Sequence, residues 1–273
     1  MLPSPRLAPW LRCFPLASVL LLTACATGGA PAVPVTGRSD GYLGRESLPQ
    51  TAIVLPAAPQ PGSARYRADR EIFRETRKLH DSPRWQLATA DADGALPRML
   101  EHFSCAVGVP LDAARLPELV NLLDHAGADA AHAGKPAKEA NARQRPFLLD
   151  DGPVCESKDE LAKSFDYPSG HVGWGWTVGL ILMELAPDRA TEIGLRARAF
   201  ADSRVVCGAH NHSAVAAGTM NGAMVVAALH AVPAFRRDAE AARRELAGYR
   251  HRTPPMAANV CAAERALIRP LPY

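Results

Sequence analysis

The sequence predicts an all-α fold: a single compact helical domain preceded by an irregular N-terminal segment. From about residue 65 onward apolar residues recur at helical spacing, and no segment alternates polar and apolar residues as a half-buried strand does. Without its leader the chain keeps roughly 250 residues, enough for one sizeable core and within reach of one domain.

The elements follow in order. Residues 1–25 read as an export signal: Arg6 and Arg12, an apolar run from Phe14 to Leu22, then Thr23-Ala24-Cys25. The run is too short to span a membrane as a helix. Leu22-Thr23-Ala24-Cys25 resembles a bacterial lipobox, with Cys25 the lipidated residue. The expectation is a protein on the periplasmic side of the envelope, anchored to the outer membrane. Cleavage after Ala24-Cys25-Ala26 would instead release it into the periplasm.

Residues 26–64, rich in Pro, Gly and small side chains, read as a tether and N-terminal wrap. Helices are expected from Arg65 to Leu79, Trp85 to Phe103, and Leu111 to Ala126, the last stopped by Gly127. Further helices are expected at Pro136 to Gln144, Lys158 to Lys163, Val172 to Leu185, Arg189 to Ala201, Ser213 to Val232, and Ala234 to Tyr249. Residues 65–250 form the domain and 251–273 a C-terminal tail. Trp174, Trp176, Leu180 and Met183 read as core, and Gly175 and Gly179, about one turn apart, permit close helix approach. The Ala-rich run from Ala214 to Leu229 reads as tight packing, and the Arg and Glu pairs between Arg236 and Arg250 as a solvated face.

A formal net charge of +3, spread among acidic residues, gives no case for nucleic acid. Cys105, Cys155, Cys207 and Cys261 lie in the exported part, and an even number in an oxidising compartment predicts two disulfides. Spacing allows three connectivities; the expected one joins Cys105 to Cys155 and Cys207 to Cys261. Homodimerisation stays open.

Three stretches carry candidate chemistry. In Tyr167-Pro168-Ser169-Gly170-His171, Pro168 disfavours helix before it, Ser169 is a good N-cap, and His171 sits at a helix mouth that can bind an anion. Pro-Ser-Gly is also ordinary turn chemistry. Lys138 and Arg145, seven residues apart, would lie near one face of a helix that Pro146 ends. Ser203-Arg204 precedes an apolar run and then His210-Asn211-His212.

In this order and spacing the three stretches resemble the signature of the type 2 phosphatidic acid phosphatase superfamily. Phe103-Ser104-Cys105, Arg145-Pro146-Phe147, the Tyr167 to His171 pentapeptide and Ser203-Arg204-Val205-Val206-Cys207-Gly208 are similar to its bacterial class A non-specific acid phosphatases. The resemblance covers residues 64–249 and implies the phosphatidic acid phosphatase/haloperoxidase type of helical domain. It implies a phosphate site made of Lys138, Arg145, Ser169, Gly170 and Arg204, with His210 as nucleophile and His171 as the acid that protonates the leaving group. No metal or other cofactor is expected. A point charge at Lys138 and planar forks at Arg145 and Arg204 suit a phosphate monoester, whose transfer is mostly positioning and charge neutralisation. The expected partners are small phosphate monoesters, with membrane contact only through Cys25.

One position departs from the pattern. The family carries an aspartate four residues after the nucleophile, where this chain has Ala214. That carboxylate receives the other ring N–H and fixes the tautomer. A backbone carbonyl, a water or an acid from another segment could replace it; His212, two residues along, points elsewhere. Reduced but real activity is expected, and Ala214→Asp is expected to raise turnover. The alternatives are phosphotransfer to an alcohol and a catalytically impaired phosphate-binding lipoprotein. A lipid phosphatase is disfavoured by the lack of membrane-length apolar spans, and a zinc site at His210 and His212 by the lack of a third ligand.

Overall fold

The structure is a computed structural model that describes residues 40–273; Cys25 and the export leader lie outside the described residues. Eleven α-helices and no strand occur among the described residues. They are α1 (Thr51–Val54), α2 (Ala64–Arg77), α3 (Pro83–Ala90), α4 (Leu96–Val107), α5 (Pro117–Asn141), α6 (Lys158–Ala162), α7 (Gly170–Leu185), α8 (Ala190–Val206), α9 (His212–Leu229), α10 (Pro233–Arg252) and α11 (Ala258–Ile268).

Serine caps start several of these helices, Ser169 among them as expected. Ser63, Ser82 and Ser169 accept from the N–H groups of Tyr66, Trp85 and Val172 at the starts of α2, α3 and α7. Helix α7 is apolar on most faces, as a surrounded helix must be, and packs against α5, α8, α9 and α10. Its glycines let α8 approach: a Cβ on Gly175 would lie 2.3 Å from Phe200 Cδ1, and one on Gly179 2.5 Å from Ala197 Cβ. Around this centre Phe103, Leu119, Leu123, Ile181, Leu182, Phe200, Val225 and Phe235 form the main core. Trp174, Trp176, Leu180 and Met183 are packed partly buried against it, as expected. Helix α9 is the one described helix long and apolar enough to cross a membrane, and more than half of it is buried in the protein.

Several sequence expectations need correction. The helix expected from Trp85 to Phe103 is two helices, because Asp91 to Ala95 leaves the helical path, and Pro97 sits in the first turn of α4. Gly127 does not end a helix. It lies inside α5, where a Cβ would come 2.7 Å from Trp174 Cζ3, so close packing rather than a helix stop explains it. Helix α5 also absorbs the separate helix expected from Pro136. That proline removes only the N–H owed to the carbonyl of His132, an exposed residue. The segment read as a C-terminal tail contains α11, and the Tyr273 hydroxyl donates to Asp202 at 2.8 Å.

The disulfides also differ from the expected pairing. Cys105 is bonded to Cys261, with Cα atoms 5.3 Å apart, and Cys155 to Cys207, with Cα atoms 4.9 Å apart. Helix α11 returns to pack on α4, which brings Cys261 to Cys105. The Cys155 N–H donates to the Cys207 carbonyl at 3.0 Å, which aligns the second pair.

Residues before α2 run along α5. Asp129 accepts from the Tyr42 and Leu43 N–H groups, Thr51 Oγ1 donates to the Ala133 carbonyl, and Tyr167 Oη donates to the Pro56 carbonyl.

Gly175→Val is expected to cost about 1–3 kcal/mol, since its side chain must displace the Phe200 ring. Gly44, whose added Cβ meets nothing within 4 Å, supplies the control. Thermal denaturation should show a lowered Tm for Gly175→Val and an unchanged one for Gly44→Ala.

Candidate active site

The candidate residues come from five places in the chain, and the fold brings them together. Lys138 is in the last turn of α5, Arg145 in the segment after it, Ser169 to His171 at the start of α7, Arg204 in the last turn of α8, and His210 just before α9. Lys138 and Arg145 do not share a helix. Helix α5 ends at Asn141, Ala142 takes a left-handed φ of 43°, and Arg145 is extended before Pro146.

Arg145 meets His210 directly: its Nη1 donates to His210 Nε2 at 2.8 Å and to the Ala209 carbonyl at 2.9 Å, while Nε holds the Ser164 carbonyl at 2.9 Å. An Arg donor at Nε2 requires a lone pair there, so the ring proton sits on Nδ1. Burial, then the charges of Arg145, Arg204 and Lys138, drive the His210 pKa well below its ordinary value and keep the ring neutral.

Arg204 is almost wholly buried. Its Nη2 pairs with Glu156, and its Nε and Nη1 are buried with no hydrogen-bond partner. Unpartnered buried guanidinium donors are costly unless an anion completes them. Glu156 is anchored beside the Cys155–Cys207 bridge, with Oε2 3.5 Å from Cys207 Sγ. Lys138 donates to the Phe165 carbonyl at 2.8 Å, and burial and Arg145 lower its pKa to about 8. Burial likewise lowers the Arg145 pKa to about 10.

At the mouth of α7, Ser169 Oγ caps the Val172 N–H, and the Ser169 N–H donates to the Ala214 carbonyl at 3.0 Å. The Ser169 N–H is therefore occupied. The Gly170 and His171 N–H groups, in the first helical turn, have no intrahelical acceptor and remain for an anion. His171 stacks on Phe200 with ring centroids 4.7 Å apart, and its Nε2 donates to the Asp91 carbonyl at 2.8 Å. Burial, then Arg204, pushes its pKa well below the ordinary value.

Two anchors were not picked out from the sequence. Asp91, at the end of α3, is fully buried, held by Arg196 and by Ser203 Oγ at 2.6 Å. Three rings fasten the loop it begins: His171 on the Asp91 carbonyl, His102 on the Asp93 carbonyl at 3.0 Å, and Trp174 on the Gly94 carbonyl at 2.9 Å. Asp166, also fully buried, accepts from His210 Nδ1 on its backbone carbonyl at 2.8 Å and on Oδ1 at 3.0 Å. The orienting group expected from position 214 thus comes from another segment, where a carboxylate and a backbone carbonyl of one residue converge. The available signal was an aspartate directly ahead of Tyr167-Pro168-Ser169-Gly170-His171. Ala214 itself is packed among Ala137, Tyr167 and Ala217, and the N-cap of α9 is Asn211.

A cavity of about 770 Å³ opens beside Lys138, Ser169, Gly170 and His171 and extends to Trp174, Leu96 and His132. His210, Arg145 and Arg204 do not line this cavity; they are linked to it through charge, since Lys138 acts on His210 and Arg204 on His171.

Residues 126–238 match the family model of the PAP2 superfamily. The chain is 45% identical over 196 residues to an acid phosphatase of Zymomonas mobilis subsp. mobilis, covering 71% of this chain and 74% of that protein. This chain belongs to the PAP2 superfamily. Within it the relatives are acid phosphatases. A non-specific acid phosphatase of Salmonella typhimurium is 38% identical over 198 residues, covering 70% of this chain and 78% of its own. One of Providencia stuartii is 34% identical over 221 residues, covering 80% and 89%. The PAP2 match contains every candidate residue named above except the Asp91 anchor.

With both folded pKa values below the unfolded value of about 6.5, His171 and His210 should stay neutral through pH 6.5 in the free protein. Adding inorganic phosphate places negative charge beside His171 and should raise its pKa. Imidazole NMR titration with and without phosphate checks both shifts; a ring titrating at its ordinary value without phosphate would contradict the burial.

Proposed function

We propose that this chain hydrolyses phosphate monoesters, without a metal, through a phosphohistidine at His210. The observation that carries the proposal is the neutral His210 with its Nε2 lone pair held at Arg145, beside an Arg204 whose Nε and Nη1 lack partners. Arg145 thus touches the nucleophile, and Arg204 and Lys138 act on the same ring through their charge.

Lys138, Arg145, Arg204 and the first N–H groups of α7 take the non-bridging oxygens. His210 Nε2 forms the N–P bond as the ester P–O bond breaks in line, and His171 passes a proton to the departing oxygen. Water then gives a proton to His171 and attacks phosphorus, the N–P bond breaks, and phosphate leaves. Arg145 must turn from Nε2 to a phosphoryl oxygen as substrate enters, an exchange of one acceptor for a charged one. The same intermediate permits transfer to an alcohol, and the cavity beside His171 gives an acceptor room.

Export to an oxidising compartment, with Cys25 as lipid anchor, is part of this proposal. Two bridged cysteine pairs fit such a compartment.

Turnover of p-nitrophenyl phosphate should persist in chelator, vanish in His210→Ala, and yield to vanadate. An alkaline quench should trap phosphate on His210. Wild-type turnover no greater than that of His210→Ala would sink the proposal. The acid must be protonated and the nucleophile neutral, and both pKa values are lowered. The kcat/KM profile should therefore be a bell on the acid side that falls as pH rises through the lowered His171 pKa, before pH 6.5 is reached; a maximum at or above neutrality contradicts these assignments.

A further inference from the structure

The family pattern places the carboxylate that serves the nucleophile on the helix after it, and this chain has Ala214 there. We propose that Asp166 is the positioning residue of His210 in this chain, a carboxylate moved from α9 to the loop before α7 and braced by a second buried ion pair. The proposal rests on the phosphohistidine assignment above.

Every polar contact of Asp166 fits that role. Its Oδ1 accepts from His210 Nδ1 at 3.0 Å and from the Asn211 N–H at 3.1 Å, and its Oδ2 accepts from Asn211 Nδ2 at 2.9 Å. Arg143 Nε lies 3.5 Å from Oδ2, and the Asp166 N–H donates to the Arg143 carbonyl at 2.8 Å. All neighbours of the two oxygens are donors, so no acceptor awaits a carboxyl proton and the ionised form is the one that fits. Burial pushes the Asp166 pKa up, and Arg143, Asn211 and Arg145 oppose that push.

Arg143 is in turn fixed from its far side. Its Nη2 donates to Asp69 Oδ2 at 2.7 Å and its Nη1 to Ser213 Oγ at 2.6 Å, while the Ser213 N–H donates to Asp69 Oδ1 at 2.8 Å. One guanidinium thus lies between two buried carboxylates, Asp69 on α2 and Asp166 before α7. Residues on α2, after α5, before α7 and at the start of α9 lock together around the ring that must stay still. As Nε2 takes the phosphoryl group the imidazole becomes cationic, and a carboxylate at Nδ1 stabilises that charge where a carbonyl alone would do so weakly.

Ala214→Asp alone should give no gain, because Asp166 already holds Nδ1 and a second buried carboxylate has no cation of its own. Asp166→Ala should lower kcat for p-nitrophenyl phosphate roughly 100-fold, with KM changed by less than about threefold. Inorganic phosphate should still raise its Tm, since the anion donors remain. Adding Ala214→Asp to Asp166→Ala should restore kcat by on the order of tenfold, the signature of coupled sites. An Asp166→Ala enzyme with wild-type kcat, or one that loses phosphate binding along with kcat, overturns the proposal. If the variant does not fold, imidazole nitrogen NMR of the wild-type protein decides: His210, assigned by His210→Ala, should carry its proton on Nδ1, and a proton on Nε2 overturns the assignment. That measurement needs no turnover, so a wild-type protein inactive on p-nitrophenyl phosphate would sink the phosphatase reading and leave the tautomer result standing.

Discussion

The structure depends on holding three cations, Lys138, Arg145 and Arg204, close together in a largely buried place. Mutual repulsion and lost hydration both oppose this, and the lowered pKa values of Lys138 and Arg145 express it. Glu156 offsets part of the charge at Arg204, and peptide carbonyls hold the other two. The remaining imbalance favours an anion, and it also keeps the neighbouring imidazoles neutral. The affinity for an anion and the neutral state of His210 thus have a single electrostatic origin.

A second constraint is rigidity. Each of the two rings proposed for catalysis is fixed at one nitrogen: His210 through Nδ1 on Asp166, and His171 through Nε2 on the Asp91 carbonyl. Both aspartates are fully buried and each is bound to an arginine, Asp166 to Arg143 and Asp91 to Arg196. Such pairs contribute little net stability once desolvation is counted, but removing one partner is expensive, so they favour one arrangement over its neighbours. Ser203 joins the two themes, since it holds Asp91 and directly precedes Arg204. The helices are set by close contact of small residues at Gly175 and Gly179, and the polar pairs fix the loops between them.

Much of this was legible in the chain. The pattern along the chain marked α7, α9 and α10 nearly to their ends, because buried positions follow the repeat of the helix itself; α8 was expected to stop at Ala201 but runs to Val206, so that Arg204 lies inside it. The residues proposed for phosphate stood out because such chemistry needs particular residue types at short fixed spacings. Gly127 and Pro136 misled, since local propensity marks them as breakers while packing against Trp174 and exposure at His132 make a continuous helix acceptable.

What the sequence determined alone was therefore local: helix faces, the cap at Ser169, and the inventory of charged groups and histidines. Whether Cys105 meets Cys155 or Cys261, and which acid serves His210, was decided only by the tertiary structure. Both depend on which distant segments lie side by side, and no local energy encodes that. Ala214 signalled a missing carboxylate; only the packing of the loop before α7 against the start of α9 put Asp166 in its place.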